Sequence, residues 1–179
     1  LVTDRAFGNA DTLATSYSIL SAANTQDKYD MIFCGKESLD GATGQMGAQL
    51  AQRFGAAQVT GALLIKEVNE EAKTAVVERE LEDGVETLDV QLPCLFTMEK
   101  TNYPARIPNL KGKLAAKKAV ITTITADDIP GLDRNRIGDP GSPTKVPRMF
   151  PPVMSEHGII IDEGSVEASV AKLMQLIKD

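Results

Sequence analysis

The chain has 179 residues, of which 42% are apolar and 25% charged, with a formal net charge of −6. That length and composition suit one α/β domain with its own core and argue against a disordered polypeptide. The acidic balance excludes a general nucleic-acid binder, which needs a basic face for phosphates, and no apolar run is long enough to insert into a membrane.

Leu1-Val2-Thr3-Asp4 reads as a strand end entered midway. With no basic n-region or apolar h-region it does not read as a signal peptide, and a fragment or processed product is the expectation. Asn9-Ala10-Asp11-Thr12 offers capping side chains to a helix over LATSYSILSAA, with Leu13, Tyr17, Leu20 and Ala23 on one face. Lys28 to Cys34 is a short apolar strand. The loop CGKESLDGATGQMG (34–47) follows, with four glycines. Thr43 to Phe54 is predicted helical, with Met46, Leu50 and Phe54 on one stripe and Gly55 as the stop. Helix, strand, glycine-rich loop, helix is the order of a doubly wound α/β protein.

The texture then changes to β-rich runs at Gln58–Val68, Lys73–Leu81 and Val85–Leu92. Asp83-Gly84 between the last two predicts a hairpin whose turn uses positive φ. Pro93 to Thr97 reads as a buried strand, Thr101 to Pro108 as an irregular loop, Lys111 to Lys118 as a short basic helix, and Ala119 to Thr125 as a further β run. From Asp127 to Pro152, closely spaced prolines exclude regular core elements and predict an extended arm. Gly164-Ser165 opens a last amphipathic helix with Val166, Val170, Leu173 and Ile177 on one stripe.

Few residues carry chemistry. Cys34 and Cys94 lie beside apolar runs and fit buried, reduced thiols. The single histidine, His157, has no serine or cysteine motif near it, and the pairs Asp127-Asp128 and Glu82-Asp83 read as turn residues without a metal-ligand pattern. The sequence therefore predicts no catalytic group and no metal site. In the loop, glycines permit close backbone approach and the following helix start presents free N–H groups to an anion. Asp40, Thr43 and Gln45 could orient phosphate or ribose hydroxyls. Because Lys36 precedes the glycines, the loop is neither a P-loop nor G-x-G-x-x-G. A phosphate site and an ordinary βα loop both stay open on these grounds. KGKLAAKK (111–118), preceded by the apolar Ile107 and Leu110, reads either as a solvated helix face or as a docking site rimmed by basic residues.

Taken in order, DRAFGNADTLATSY (4–17), CGKESLDGATGQMG (34–47), QVT (58–60), ERELEDGVETLDVQLPCLFT (78–97), NYPARIPNLKGKLAAKK (102–118) and GSPTKV (141–146) resemble the β subunit of electron-transfer flavoproteins. The resemblance implies a three-layer α/β fold: a mostly parallel, Rossmann-like nucleotide-binding sheet with an antiparallel hairpin insertion and a C-terminal arm. It implies a truncated adenine-nucleotide-binding domain over 1–139, lacking the family's N-terminal portion. Residues 140–179 would form a Pro-rich arm and helix packing on the partner subunit.

The resemblance further implies that Gly35, Lys36, Asp40, Gly41, Ala42, Thr43, Gly44, Gln45 and Met46 hold AMP or the pyrophosphate of FAD. At Gly44 some members carry Asn, so a side-chain contact is lost here. The implied partners are an α subunit holding a redox-active FAD and an acyl-CoA dehydrogenase or similar protein. The second would dock on residues 102–118 through Leu110, with Ile107 and Lys111 beside it; Pro104-Ala105-Arg106-Ile107-Pro108 alters the usual stretch there. Simple carriers hold a structural AMP in this subunit, whereas bifurcating members hold a second FAD served by NADH, and DGATGQMG and GSPTKV look closer to the latter. A bacterial cytoplasm, or the mitochondrial matrix of a eukaryote, is the implied location. The rival readings are an adenine-nucleotide-binding module of stress-protein type without a redox role, and a structural remnant that binds nothing.

Overall fold

A computed structural model describes residues 1–26, 28–100, 103–152 and 158–178. Asn102 and His157 lie outside the described residues. The chain forms two compact units, Leu1–Lys145 and Val146–Asp179.

In the first unit, helix α1 (Thr12–Ala23) starts where Asp11 accepts the Ala14 N–H at 3.0 Å. The other Asp11 oxygen takes the Thr144 N–H at 3.1 Å. The buried face differs from the predicted one. Ala14, Ser18 and Ala22 are buried, whereas Leu13 is 44% exposed. Small residues four apart let a helix approach its neighbours closely, and Ser18 satisfies its hydroxyl on the Ala14 carbonyl at 2.8 Å.

Strand β1 (Met31–Gly35) leads through the glycine-rich loop to α2 (Met46–Phe54). This helix starts three residues later than predicted because Gly44 sits at φ +61°, off the right-handed helical path. It ends as expected at Gly55, left-handed at φ 64°, whose N–H closes on Ala51 and Gln52. Strands β2 (Ala57–Asn69), β3 (Thr74–Leu81), β4 (Gly84–Gln91) and β5 (Cys94–Met98) complete an open sheet in the order β1-β5-β2-β3-β4. Strands β1, β5 and β2 are parallel, and β3 and β4 extend the sheet antiparallel.

The predicted hairpin forms by a different turn. Leu81 pairs with Gly84, so Glu82-Asp83 is the connection, and none of residues 82–84 has positive φ. Strand β5 shows the two-residue period of a sheet packed on both faces. Cys94 and Phe96 join Val59, Ala62, Ala75 and Val77 in one cluster. Leu95 points the other way, onto Leu50 and Ala51 of α2. Both cysteines are free; burial pushes the Cys94 thiol up to about 11 and raises that of Cys34.

Two expectations are corrected. The β run over 119–125 forms only the bridge Val2–Ile124, because within the described residues only 1–3 run beside it, and Val120 and Ile121 stay exposed. The Pro-rich stretch after Asp127 is not simply a surface arm: Ile129, Ile137 and Ser142 are buried. Ser142 Oγ accepts the Asp11 N–H at 2.8 Å and donates to the Gly138 carbonyl at 2.6 Å. Proline prevents regular pairing but does not prevent burial.

Helix α3 (Leu110–Lys118) starts at Asn109, whose side chain accepts the Gly112 N–H, and no residue of it is buried. In the second unit, α4 (Val166–Lys178) follows Ser165, whose hydroxyl accepts the Ala168 N–H. Its predicted stripe of Val166, Val170, Leu173 and Ile177 is present and exposed.

Candidate functional site

The parallel register places the glycine-rich loop at the carboxyl end of the sheet. Gly35 is the last residue of β1 and pairs with Met98. One residue further on, Lys36 meets Glu99 in an ion pair of 2.8 Å. This pair raises the Lys36 pKa, through its hydrogen bond first and its charge second. The loop then folds on Ser38: its carbonyl accepts the Ala42 N–H at 3.0 Å and its hydroxyl the Gly41 N–H at 3.3 Å.

Ala42 is held at φ 45° and Gly44 at φ 61°. For Ala42 that conformation costs on the order of 1 kcal/mol, a strain that clusters at ligand sites. Thr43 Oγ1 accepts the Gln45 N–H at 3.4 Å. Gln45 precedes α2 without a side-chain hydrogen bond to the helix, and no acidic residue stands in its first turn. The first-turn amides thus carry the helix's partial positive charge with no capping side chain to neutralise it.

The donor set suits an anionic ligand such as a nucleotide phosphate. A β carbon at Gly35 or Gly44 would meet no atom within 4 Å, so space above α2 is open. Asp40 to Gln45 are all exposed, whereas Met46 is half-buried and packs on the Leu50 cluster. Gln45 turns to α1, where Thr12 Oγ1 donates to its Oε1 at 3.0 Å.

That bond begins a polar ladder that sequence reasoning missed. Gln49 Nε2 donates to Thr12 Oγ1 at 3.1 Å, Ser16 Oγ donates to Gln49 Oε1 at 2.9 Å, and Arg53 Nε donates to Ser16 Oγ at 2.8 Å. Gln45, Gln49 and Arg53 recur every four residues, as do Thr12 and Ser16, so two polar stripes face each other across α1 and α2. The spacing was visible in the sequence; the pairing was not. Glu99 was also missed, for it becomes Lys36's neighbour only through the β1–β5 register.

The residues expected to dock a partner lie on another segment. Leu110 opens α3 and is 74% exposed, Ile107 in the preceding loop is 86% exposed, and Lys111 is exposed. Among the described residues no cluster of metal-ligating side chains occurs, and no helix is long and apolar enough to cross a membrane.

The family model described as the electron transfer flavoprotein domain matches residues 1–129. The chain belongs to that family. The electron transfer flavoprotein subunit beta of Thermoanaerobacterium thermosaccharolyticum is 39% identical over 176 residues, covering 98% of this chain and 65% of the relative. The caffeyl-CoA reductase-Etf complex subunit CarD of Acetobacterium woodii is 36% identical over 179 residues, covering 100% and 67%. The acryloyl-CoA reductase electron transfer subunit gamma of Anaerotignum propionicum is 35% identical over 185 residues, covering 98% and 68%. The chain thus spans about two thirds of the length of these electron transfer flavoprotein relatives.

Proposed function

We propose that this chain acts as the β subunit of a heterodimeric electron-transfer flavoprotein, with residues 35–46 holding AMP or the pyrophosphate of FAD. One observation carries the reading: an uncapped helix start opens into a strained, glycine-rich loop at the carboxyl end of parallel strands. Backbone amides of Thr43, Gly44 and Met46, which the loop's own hydrogen bonds leave free, would supply much of the contact, with the Thr43 hydroxyl on phosphate and Asp40 on ribose hydroxyls. Lys36 would turn from Glu99 toward the phosphate charge.

When bound, FAD supplies the redox chemistry, and this chain's residues bind and orient it. An α subunit is the proposed obligate partner, and the exposed stripe of α4 is the surface offered to it. Leu110, Ile107 and Lys111 would receive the redox partner, of acyl-CoA dehydrogenase type. The Acetobacterium and Anaerotignum relatives are named for a caffeyl-CoA reductase-Etf complex and an acryloyl-CoA reductase. The finer reading for this chain is flavin-based bifurcation with NADH as donor in a bacterial cytoplasm.

The test is to denature the purified protein with any co-purifying subunit and identify the released nucleotide by chromatography and mass. Two FAD per heterodimer support bifurcation. One FAD and one AMP support a simple carrier. An assembled complex that releases no nucleotide from this subunit overturns the proposal.

A further inference from the structure

At the far end of α2 from the glycine-rich loop, a cavity of about 300 Å³ is lined by Leu13, Tyr17, Arg53, Arg136, Ser142 and Pro143, among others. The nine residues of α2 separate the two places by roughly 13 Å. The Arg136 guanidinium lies 4.1 Å from the Tyr17 ring centroid and that of Arg53 lies 5.7 Å from it. Two cations thus stack on one ring in a chain of net charge −6.

Neither arginine has a carboxylate partner among the described residues. The acids nearby in sequence are engaged elsewhere. Asp127 pairs with Arg134, Asp139 with Lys145, and Asp133 accepts the Asn135 N–H at 2.9 Å. Arg53 is fixed in place, donating from Nε to Ser16 Oγ at 2.8 Å and from Nη2 to the Leu13 carbonyl at 3.1 Å. An arginine has five N–H donors, so most of its fork stays available. Arg136 makes no side-chain hydrogen bond among the described residues. Tyr17 Oη accepts the Asp133 N–H at 3.1 Å, which leaves its own proton free to donate. Burial lowers the Arg53 pKa and the charge of Arg136 lowers it further. An anion in the cavity would relieve both.

We infer that this cavity binds a small oxyanion of the phosphate class between the guanidinium groups of Arg53 and Arg136, with the Tyr17 hydroxyl as a third donor. The concave wall of residues 140–143 favours a small ligand over the flat contact of a protein carboxylate. Arginine forks match the geometry of such an anion.

The experiment is calorimetric titration of the full chain with inorganic phosphate and, separately, with glycerol phosphate. Saturable binding that weakens at least tenfold in Arg136→Gln, and recovers only in part in Arg136→Lys, is the expected result. Tighter binding of the ester assigns the site to an esterified ligand, and equal or weaker binding assigns it to the free anion. Arg136 is exposed, so its variant is expected to keep the wild-type circular dichroism and melting temperature. Unchanged phosphate affinity in a folded Arg136→Gln, or no saturable binding by the parent chain, overturns the inference.

Discussion

Gly47 is where the candidate site meets the core, and replacing it with alanine tests how the first turn of α2 is held. A β carbon built at Gly47 stands 2.2 Å from Thr97 Cγ2 and 3.5 Å from Leu95 Cδ2. Thr97 is 6% exposed and β-branched, and its Oγ1 accepts the Gly61 N–H at 3.2 Å. Rotating the methyl away therefore breaks a hydrogen bond, and leaving it in place pushes the helix off the sheet. Overpacking of this kind costs roughly 1–3 kcal/mol, against which alanine's better helix propensity returns about 1 kcal/mol. The net loss is about 0–2 kcal/mol, which a chain of this size shows as roughly 2–4 °C in Tm per kcal/mol. Urea unfolding measures the stability, and nucleotide content after gel filtration measures the site, since the first-turn amides move with the helix. Adding Thr97→Ser removes the offending methyl and keeps the hydroxyl, so the double variant is expected to recover both. A Gly47→Ala protein as stable as the parent with full nucleotide content, or a double variant no better than the single one, would refute the reasoning.

Two further perturbations address the charges around the site. Burial pushes the Asp11 carboxyl up, but the N–H groups of Ala14, Thr144 and Leu13 outweigh it and hold the pKa below the ordinary 3.8. A folded value below the unfolded one gives stability that is complete above the unfolded pKa and is lost as pH falls through the folded one. Asp11→Ala is accordingly expected to cost about 1 kcal/mol at neutral pH, with the difference from the parent closing in acid; a gap of constant size down to the acid transition contradicts this. Glu99→Gln releases Lys36 from a pair whose lysine is 64% exposed, so stability is expected to stay close to that of the parent. Adenine-nucleotide affinity, read by calorimetry, is expected to rise, and a fall would show that Glu99 assists the ligand and does not compete with it.

Local chemistry made much of this fold legible. Asp11 caps α1, Gly55 ends α2, and the alternating runs over 58–92 form an antiparallel extension, because each depends on residues close in sequence. The strand-to-helix position of loop 34–47 was legible for the same reason. What escaped depends on partners distant in the chain. Leu13 and Tyr17 were expected on the apolar face because of their helical spacing, yet Ala14, Ser18 and Ala22 are buried and Tyr17 supports two arginines. Residues 119–125 have strand composition, but a strand needs a neighbour running beside it, and among the described residues only 1–3 do. Lys36–Glu99 follows from the register of β1 on β5, and the Arg53–Arg136 cavity from the fold of a Pro-rich stretch with no periodicity to read.

Thr97 has two branches and they serve two neighbours. Its hydroxyl meets the amide of Gly61, where β2 shifts register against β5, and its methyl fills the space that Gly47 leaves empty. At Gly61 a side chain would also crowd the Glu80 carbonyl, 3.1 Å away. Positions 47 and 97 are thus coupled by space: a substitution that enlarges one is expected to need a smaller or reshaped side chain at the other. Correlated substitution at these two sites across homologous sequences would be the evolutionary trace of that constraint.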